Sequence, residues 1–186
     1  MIEINNLTTN QIDEEFLSKV AKIVLKGEHP PLGRVGDETK VSSSPFANAR
    51  VPEESELSIA LVGQGRMREL NKKYRGKNRV TDVLAFSQNP KSKIKNRVSI
   101  YGSEGEEGNE VLFAHQKFIE PFLGEIVICL REVKKNAKRY NLTFEKELSK
   151  VLIHGTLHLL GYDHEKNEFK AKKMEEKENY YLSQVN

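Results

Sequence analysis

The segment HGTLHLLGYDH, residues 154–164, places three of the five histidines of the chain within eleven positions. His154 and His158 are four residues apart, so on a helix both imidazoles lie on one face, about one turn apart. Gly161 ends such a helix and permits a left-handed backbone. The chain can then turn back and bring His164 close to the other two histidines. The spacing therefore predicts a three-histidine cluster at a helix end.

Three converging imidazoles are typical of a zinc ion whose fourth position stays open, as a catalytic site requires. Imidazole also suits copper, nickel and iron. The spacing matches the second half of the metzincin pattern H-E-x-x-H-x-x-G-x-x-H. However, Gly155 stands where these peptidases keep the glutamate that acts as general base. We therefore predict a zincin-like metal site with one Zn²⁺ per chain. A peptidase with this site would lack its general base.

The rest of the chain mixes apolar strands with amphipathic helices, which indicates an α+β fold. We expect a small mixed β-sheet of about four strands packed with about five helices, in a single domain over 1–186. Residues 28–55 contain four of the six prolines and predict a long loop. Residues 88–121 surround an acidic, turn-rich stretch whose flanks could pair as a hairpin. Periodicity predicts helices over 10–26, 66–74, 131–141 and 143–160, and the charged segment 167–182 is helix-prone. Apolar runs predict strands over 57–62, 82–86 and 124–130.

Composition excludes several classes of protein. The 186 residues suit one domain, and the lone Cys129 excludes an intrachain disulfide scaffold. No apolar run approaches the ~18 residues of a membrane span. The N-terminus lacks the basic and apolar regions of a signal peptide. We therefore expect a cytoplasmic protein with no membrane association.

Positive charge is concentrated locally although the formal net charge is only +3. Five cations lie within residues 72–79, and further groups lie within 91–97 and 134–139. Such groups suit the phosphate backbone of a nucleic acid. The same groups of cations are equally typical of the solvated faces of a lysine-rich protein.

Three segments together resemble the YbeY family of zinc-dependent endoribonucleases of bacterial rRNA maturation. The family signature H-G-x-L-H-L-x-G-Y-D-H is met at every fixed position by residues 154–164. LNKKYRGKNRVTDVLAF, residues 70–86, is similar to the family segment L-N-x-x-Y-R-x-x-x-x-x-T-D-V-L-S-F, with Ala85 in place of serine. LGEIVIC, residues 123–129, is similar to its L-G-D-I-x-I strand, with Glu125 in place of aspartate. Residues 28–55 and 88–121 resemble inserts relative to the family.

The resemblance implies roles for individual residues. His154, His158 and His164 would be the zinc ligands. Arg75 would be the catalytic arginine that grips a phosphate, unless it is one more cation of a basic patch. Asp163 would accept a histidine N–H and fix its tautomer, or else stabilise a turn. The candidates for RNA binding are Lys72, Lys73, Lys77 and Arg79.

The function implied by the resemblance is that of a single-strand-specific, metal-dependent endoribonuclease, in which zinc-activated water attacks or polarises the phosphodiester. Its role would be maturation of the small-subunit rRNA 3′ end and ribosome quality control. Expected partners are rRNA or other single-stranded RNA, the small ribosomal subunit and its assembly factors. No residue is identified as the general base. Two alternatives stay open: a metallopeptidase-like zinc hydrolase and a non-catalytic RNA-binding ribosome-assembly factor.

Overall fold

The structure of this chain is a computed structural model that describes residues 1–28, 49–50, 55–88, 117–118, 122–164 and 167–185. The predicted α+β class is confirmed, because a four-stranded mixed sheet and five helices lie within these residues. In chain order the elements are β1 (Ile2–Asn6), α1 (Glu14–Glu28), β2 (Ala49–Arg50), β3 (Glu56–Leu61), α2 (Gln64–Arg75), β4 (Val83–Ser87), β5 (Lys117–Phe118), β6 (Phe122–Ile128), α3 (Leu130–Arg139), α4 (Phe144–Leu159) and α5 (Glu168–Gln184).

The main sheet has the strand order β1-β3-β6-β4. Strand β3 is parallel to both β1 and β6, and β4 runs antiparallel to β6 at one edge. The two central strands are buried along most of their length, which explains why both appear in the sequence as nearly continuous apolar runs. The short strands β2 and β5 form a separate parallel pair.

Strand β1 is the strand of the main sheet that the sequence did not predict. Its IEINN segment contains two apolar residues, Ile2 and Ile4, which pair with Leu57 and Ile59 of β3 and are only partly buried. Two alternating residues at a sheet edge are too short a pattern for a period-2 signal to stand out. The strand exists because β3 offers it a parallel partner.

Helix α1 begins later than the predicted residue 10. The Asp13 carboxylate accepts a hydrogen bond from Phe16 N at 2.9 Å, so Asp13 caps the helix. The predicted hairpin and most of the predicted loops of 28–55 and 88–121 lie outside the described residues. No helix in the described ranges is long and apolar enough to cross a membrane.

Helices pack on both faces of the main sheet. On one face, Ile59 and Ile126 belong to the larger core cluster, together with residues of α1, α3, α4 and α5. On the other face, Ala60 and Val127 pack with Met67 of α2 in a smaller cluster that also holds the buried Cys129. Helix α4 contacts both β4 and β6. This packing places the end of α2 and the histidines of α4 beside the same edge strand, β4.

Candidate metal centre and adjoining groove

The three histidines of the 154–164 segment converge at the C-terminal end of α4. Thr143 caps the start of helix α4, since its Oγ1 accepts a hydrogen bond from Lys146 N at 3.2 Å. It ends where Gly161 adopts a φ of 79°. Gly161 N donates to His158 O and Tyr162 N donates to Leu157 O, which is the hydrogen-bond pattern of a Schellman motif. This turn brings His164 back, and one nitrogen of each of His154, His158 and His164 lies within 4.8 Å of the others.

Hydrogen bonds from outside the cluster orient two of the three imidazoles. His154 Nδ1 lies 2.7 Å from Glu178 Oε1, and His158 Nδ1 lies 3.0 Å from the Tyr162 carbonyl oxygen. A carboxylate and a carbonyl only accept hydrogen bonds, so each Nδ1 carries the proton. The lone pair of each ring is therefore on Nε2, the nitrogen that would bind a metal.

The position of these lone pairs fits a metal ion. The Nε2 atoms of His154 and His158 lie 3.1 Å apart, and with both protons on Nδ1 their lone pairs face each other. Two nitrogen ligands of a tetrahedral zinc ion stand about 3.3 Å apart. Burial, and then the nearby His154, lower the pKa of His158 to about 4. His158 is therefore neutral at neutral pH, which is the form that binds metals.

Glu178 is a site residue that the sequence prediction missed. It lies on α5, 24 positions beyond the histidine that it contacts. The α5 segment showed only a charged, helix-prone pattern, which does not distinguish this glutamate from its neighbours. Asp163, the predicted partner of a histidine, is half-buried and lines the groove beside the cluster. The role predicted for Asp163 stays a prediction.

A buried carboxylate at the end of α1 connects the two segments that contain the histidine partners Tyr162 and Glu178. The Glu28 side chain is only 2% exposed. Its Oε2 accepts from the Tyr162 hydroxyl at 2.7 Å, and its Oε1 accepts from the Tyr181 hydroxyl at 2.6 Å and from Lys177 Nζ at 2.8 Å. Burial and the bond to Glu28 raise the pKa of Tyr181. Glu28 thus fixes the Tyr162 turn and also α5, the helix that provides Glu178.

Close packing explains the glycine at position 155. A Cβ atom on Gly155 would lie 2.9 Å from Ile126 Cγ2 and 3.4 Å from Ile126 Cδ1. Helix α4 therefore passes directly over strand β6 at this point. A glutamate side chain at position 155 would have to displace a core isoleucine, so the general base of a metzincin has no room here.

The histidines line a groove of about 650 Å³. Its opposite side is formed by the last turn of α2, with Tyr74 and Arg75, and by the β4 region from Thr81 to Phe86. The structure thus brings Arg75 into the same groove as the three histidines and Asp163. The remaining predicted RNA-binding residues are exposed around the end of α2 and do not line the groove: Lys72, Lys73, Lys77 and Arg79.

Comparisons with known proteins agree with the identification made from the sequence. The model of the family described as Endoribonuclease YbeY matches residues 38–186. A protein named Endoribonuclease YbeY from Thermodesulfovibrio yellowstonii is 43% identical over 129 residues, which cover 69% of this chain and 66% of the relative. One from Thermotoga neapolitana is 38% identical over 128 residues, with 69% and 66% covered. The aligned part thus spans just under two thirds of each relative.

A solved structure is also similar. The solution structure of TM1509 from Thermotoga maritima superposes with a TM-score of 0.51 at 29% sequence identity. The superposition covers 100% of this chain and 89% of that protein. The similarity thus extends over the full set of elements around the groove.

Proposed function

The chain belongs to the YbeY family, and on that premise we propose that it is a metal-dependent endoribonuclease. The observation that carries the proposal is the groove in which three converging imidazoles face an arginine. His154, His158 and His164 would hold one zinc ion. When bound, zinc supplies Lewis acidity toward a water molecule and a phosphate oxygen.

Groups of the protein itself would bind the phosphates and orient the histidines. The Arg75 guanidinium would bind two oxygens of the scissile phosphate and offset the charge that builds up during cleavage. Glu178 and the Tyr162 carbonyl would keep both Nδ1 protons in place, so that the Nε2 atoms stay available. The four exposed cations around the end of α2 would bind neighbouring phosphates.

We extend the proposal to the biological substrate on the strength of family membership. The substrate would be single-stranded RNA, with maturation of the small-subunit rRNA 3′ end and ribosome quality control as the cellular roles. Partners would then be the small ribosomal subunit and its assembly factors, in the cytoplasm. Residues 1–186 would act as a single domain, with 28–55 and 88–121 as inserts.

Two alternative functions can be distinguished from this proposal. The metallopeptidase-like hydrolase is disfavoured by the contact between position 155 and Ile126, which leaves no space for the glutamate base. The non-catalytic RNA-binding assembly factor predicts the same groove without cleavage. Only an activity measurement distinguishes it from the nuclease.

The test is cleavage of end-labelled single-stranded RNA by the wild type and by two matched arginine variants. Arg75 and Arg139 are both exposed, and each is the last residue of its helix, but Arg139 does not line the groove. We expect Arg75→Ala to lower the turnover number about 100-fold or more, as for loss of a donor to transition-state charge. Arg139→Ala should retain wild-type turnover. Equal effects of the two substitutions would contradict the role of Arg75.

Metal content provides an independent test. Protein purified without a histidine tag should contain about one zinc ion per chain. The folded His154→Ala/His158→Ala double variant should contain none and should not cleave RNA. Wild-type protein that stays metal-free after zinc is supplied would contradict the metal-dependent mechanism. A zinc-loaded protein that binds RNA without cleaving it would favour the assembly factor.

A further inference from the structure

Tyr74 is an exposed aromatic residue inside the groove. It lies in the last turn of α2 and is 56% exposed, although it lines the same groove as the histidines and Arg75. Its ring makes an edge contact with Phe86 of β4, with ring centroids 4.9 Å apart and planes inclined at 65°. Two adjoining aromatic rings therefore face the space in which the proposed nuclease would hold its substrate.

The surroundings of Tyr74 are held in place by the fold. Helix α2 ends at Arg75, where the Gly76 N–H bonds to Lys72 O. The buried Asn71 then binds the chain that follows. Its side-chain Nδ2 donates to Arg79 O at 2.8 Å, and its main-chain carbonyl oxygen accepts from Lys77 N. Phe86 packs on the smaller core cluster. The aromatic pair is therefore preorganised, which lowers the entropic cost of binding a ligand.

The charge around Tyr74 selects the class of ligand. Residues 70–81 contain five cations and no acidic residue, and Lys73 Nζ lies 5.1 Å from the centroid of the Tyr74 ring. The groove also contains two carboxylates: Asp163, and Asp82, which accepts hydrogen bonds from Val83 N and Asn136 Nδ2. An anionic polymer that carries flat apolar groups suits an aromatic surface inside such a positive field. Single-stranded nucleic acid has this chemistry, because its bases stack on aromatic rings while cations hold its phosphates.

We propose that Tyr74, supported by Phe86, is a stacking site for one unpaired base of the RNA strand, next to the phosphate held by Arg75. This inference rests on the proposed nuclease function and deepens it. A base in a duplex has both faces covered by its neighbours, whereas an unpaired base can be turned out and stacked on an aromatic side chain. The stacking site thus gives the groove a physical reason to prefer single strands.

The test uses RNA octamers that contain one 2-aminopurine, whose fluorescence falls when the base stacks on an aromatic ring. Fluorescence is recorded by stopped flow on mixing with the full chain, before cleavage proceeds, with single-stranded RNA and with the same sequence in a duplex. The variants are Tyr74→Leu and Tyr74→Phe. The matched control is Tyr140→Leu, since Tyr140 is also 56% exposed and also has a cation over its ring, but lies outside the groove.

We expect Tyr74→Leu to abolish the fluorescence change and to weaken single-strand binding about 5- to 150-fold, the usual effect of losing one stacked base. Duplex binding should change less than about twofold, because phosphate contacts dominate it. Tyr74→Phe and Tyr140→Leu should behave as the wild type. An unchanged signal in Tyr74→Leu, or an equal loss for single strands and duplexes, would overturn the proposal.

Cleavage measured separately distinguishes failure of the inference from failure of the proposed function. If the wild type cleaves RNA and Tyr74→Leu binds and cleaves it equally well, the stacking site is wrong and the nuclease stands. If the fluorescence change depends on Tyr74 but wild-type protein with its metal never cleaves, the stacking site stands and the nuclease is wrong.

Discussion

The histidine side of the groove is held by buried and partly buried hydrogen bonds that involve three helices. The α2 side presents exposed cations around one buried asparagine. On the histidine side, Glu178 contacts His154, and Glu28 binds the Tyr162 turn and α5. On the α2 side, Asn71 binds the Arg79 carbonyl, while the cations of 72–79 are exposed to solvent.

This difference indicates how each side responds to substitution. A buried acceptor that loses its donor cannot be satisfied by water, so each such bond is costly to break. Exposed cations act through a shared field in which no single charge dominates. We therefore expect large, specific effects on the histidine side. On the α2 side we expect small, additive effects from the exposed cations that do not line the groove, whereas Tyr74 and Arg75 line it.

The largest stability effect is expected from Glu28→Gln. The amide removes the charge opposite Lys177 and places a donor group among two hydroxyls and an ammonium. We expect the free energy of unfolding to fall by about 2–3 kcal/mol, measured by urea denaturation. Glu15→Gln, at an exposed position of the same helix, should change it by less than about 0.5 kcal/mol. Equal stabilities of the two variants would show that Glu28 does not anchor this side.

Glu178→Gln is expected to act on metal affinity. The neutral amide is a weaker acceptor for His154 Nδ1–H, and loss of such a partner commonly lowers metal affinity about 10- to 100-fold. The measurement is competition with a zinc chelator of known affinity. Glu176→Gln, at an exposed position on the same helix, should leave the affinity unchanged. A Glu178 variant with wild-type affinity would mean that His154 is oriented without this contact.

The smallest effect is expected from a single cation of the α2 side. Lys77→Ala should weaken binding of single-stranded RNA only a few-fold, and should reduce the slope of log affinity against log salt by about 0.7. Lys135→Ala, on α3 and paired with Glu132, should leave the slope unchanged. A loss of 100-fold or more in Lys77→Ala would break the comparison, because a cation outside the groove would then matter as much as a buried contact.

Prediction from sequence succeeded where the signal was local. Helices α2 to α5, the strands β3, β4 and β6, and the family all follow from periodicity and short motifs. The histidine cluster required only helical spacing and a glycine at the turn. Strand β1 was missed because two apolar residues carry too little pattern. Helix α1 begins at Glu14 and not at the predicted residue 10, since Asp13 caps it.

The sequence by itself singled out the three metal-binding candidates through their spacing, and Arg75 through the resemblance of residues 70–86 to a family segment. Only the tertiary structure decided which groups orient the histidines and why position 155 is a glycine. The Glu178–His154, Glu28–Tyr162 and Glu28–Tyr181 contacts join residues 24, 134 and 153 positions apart. Such distant pairs leave no periodic trace in the chain, since their geometry is set by how helices pack on the sheet.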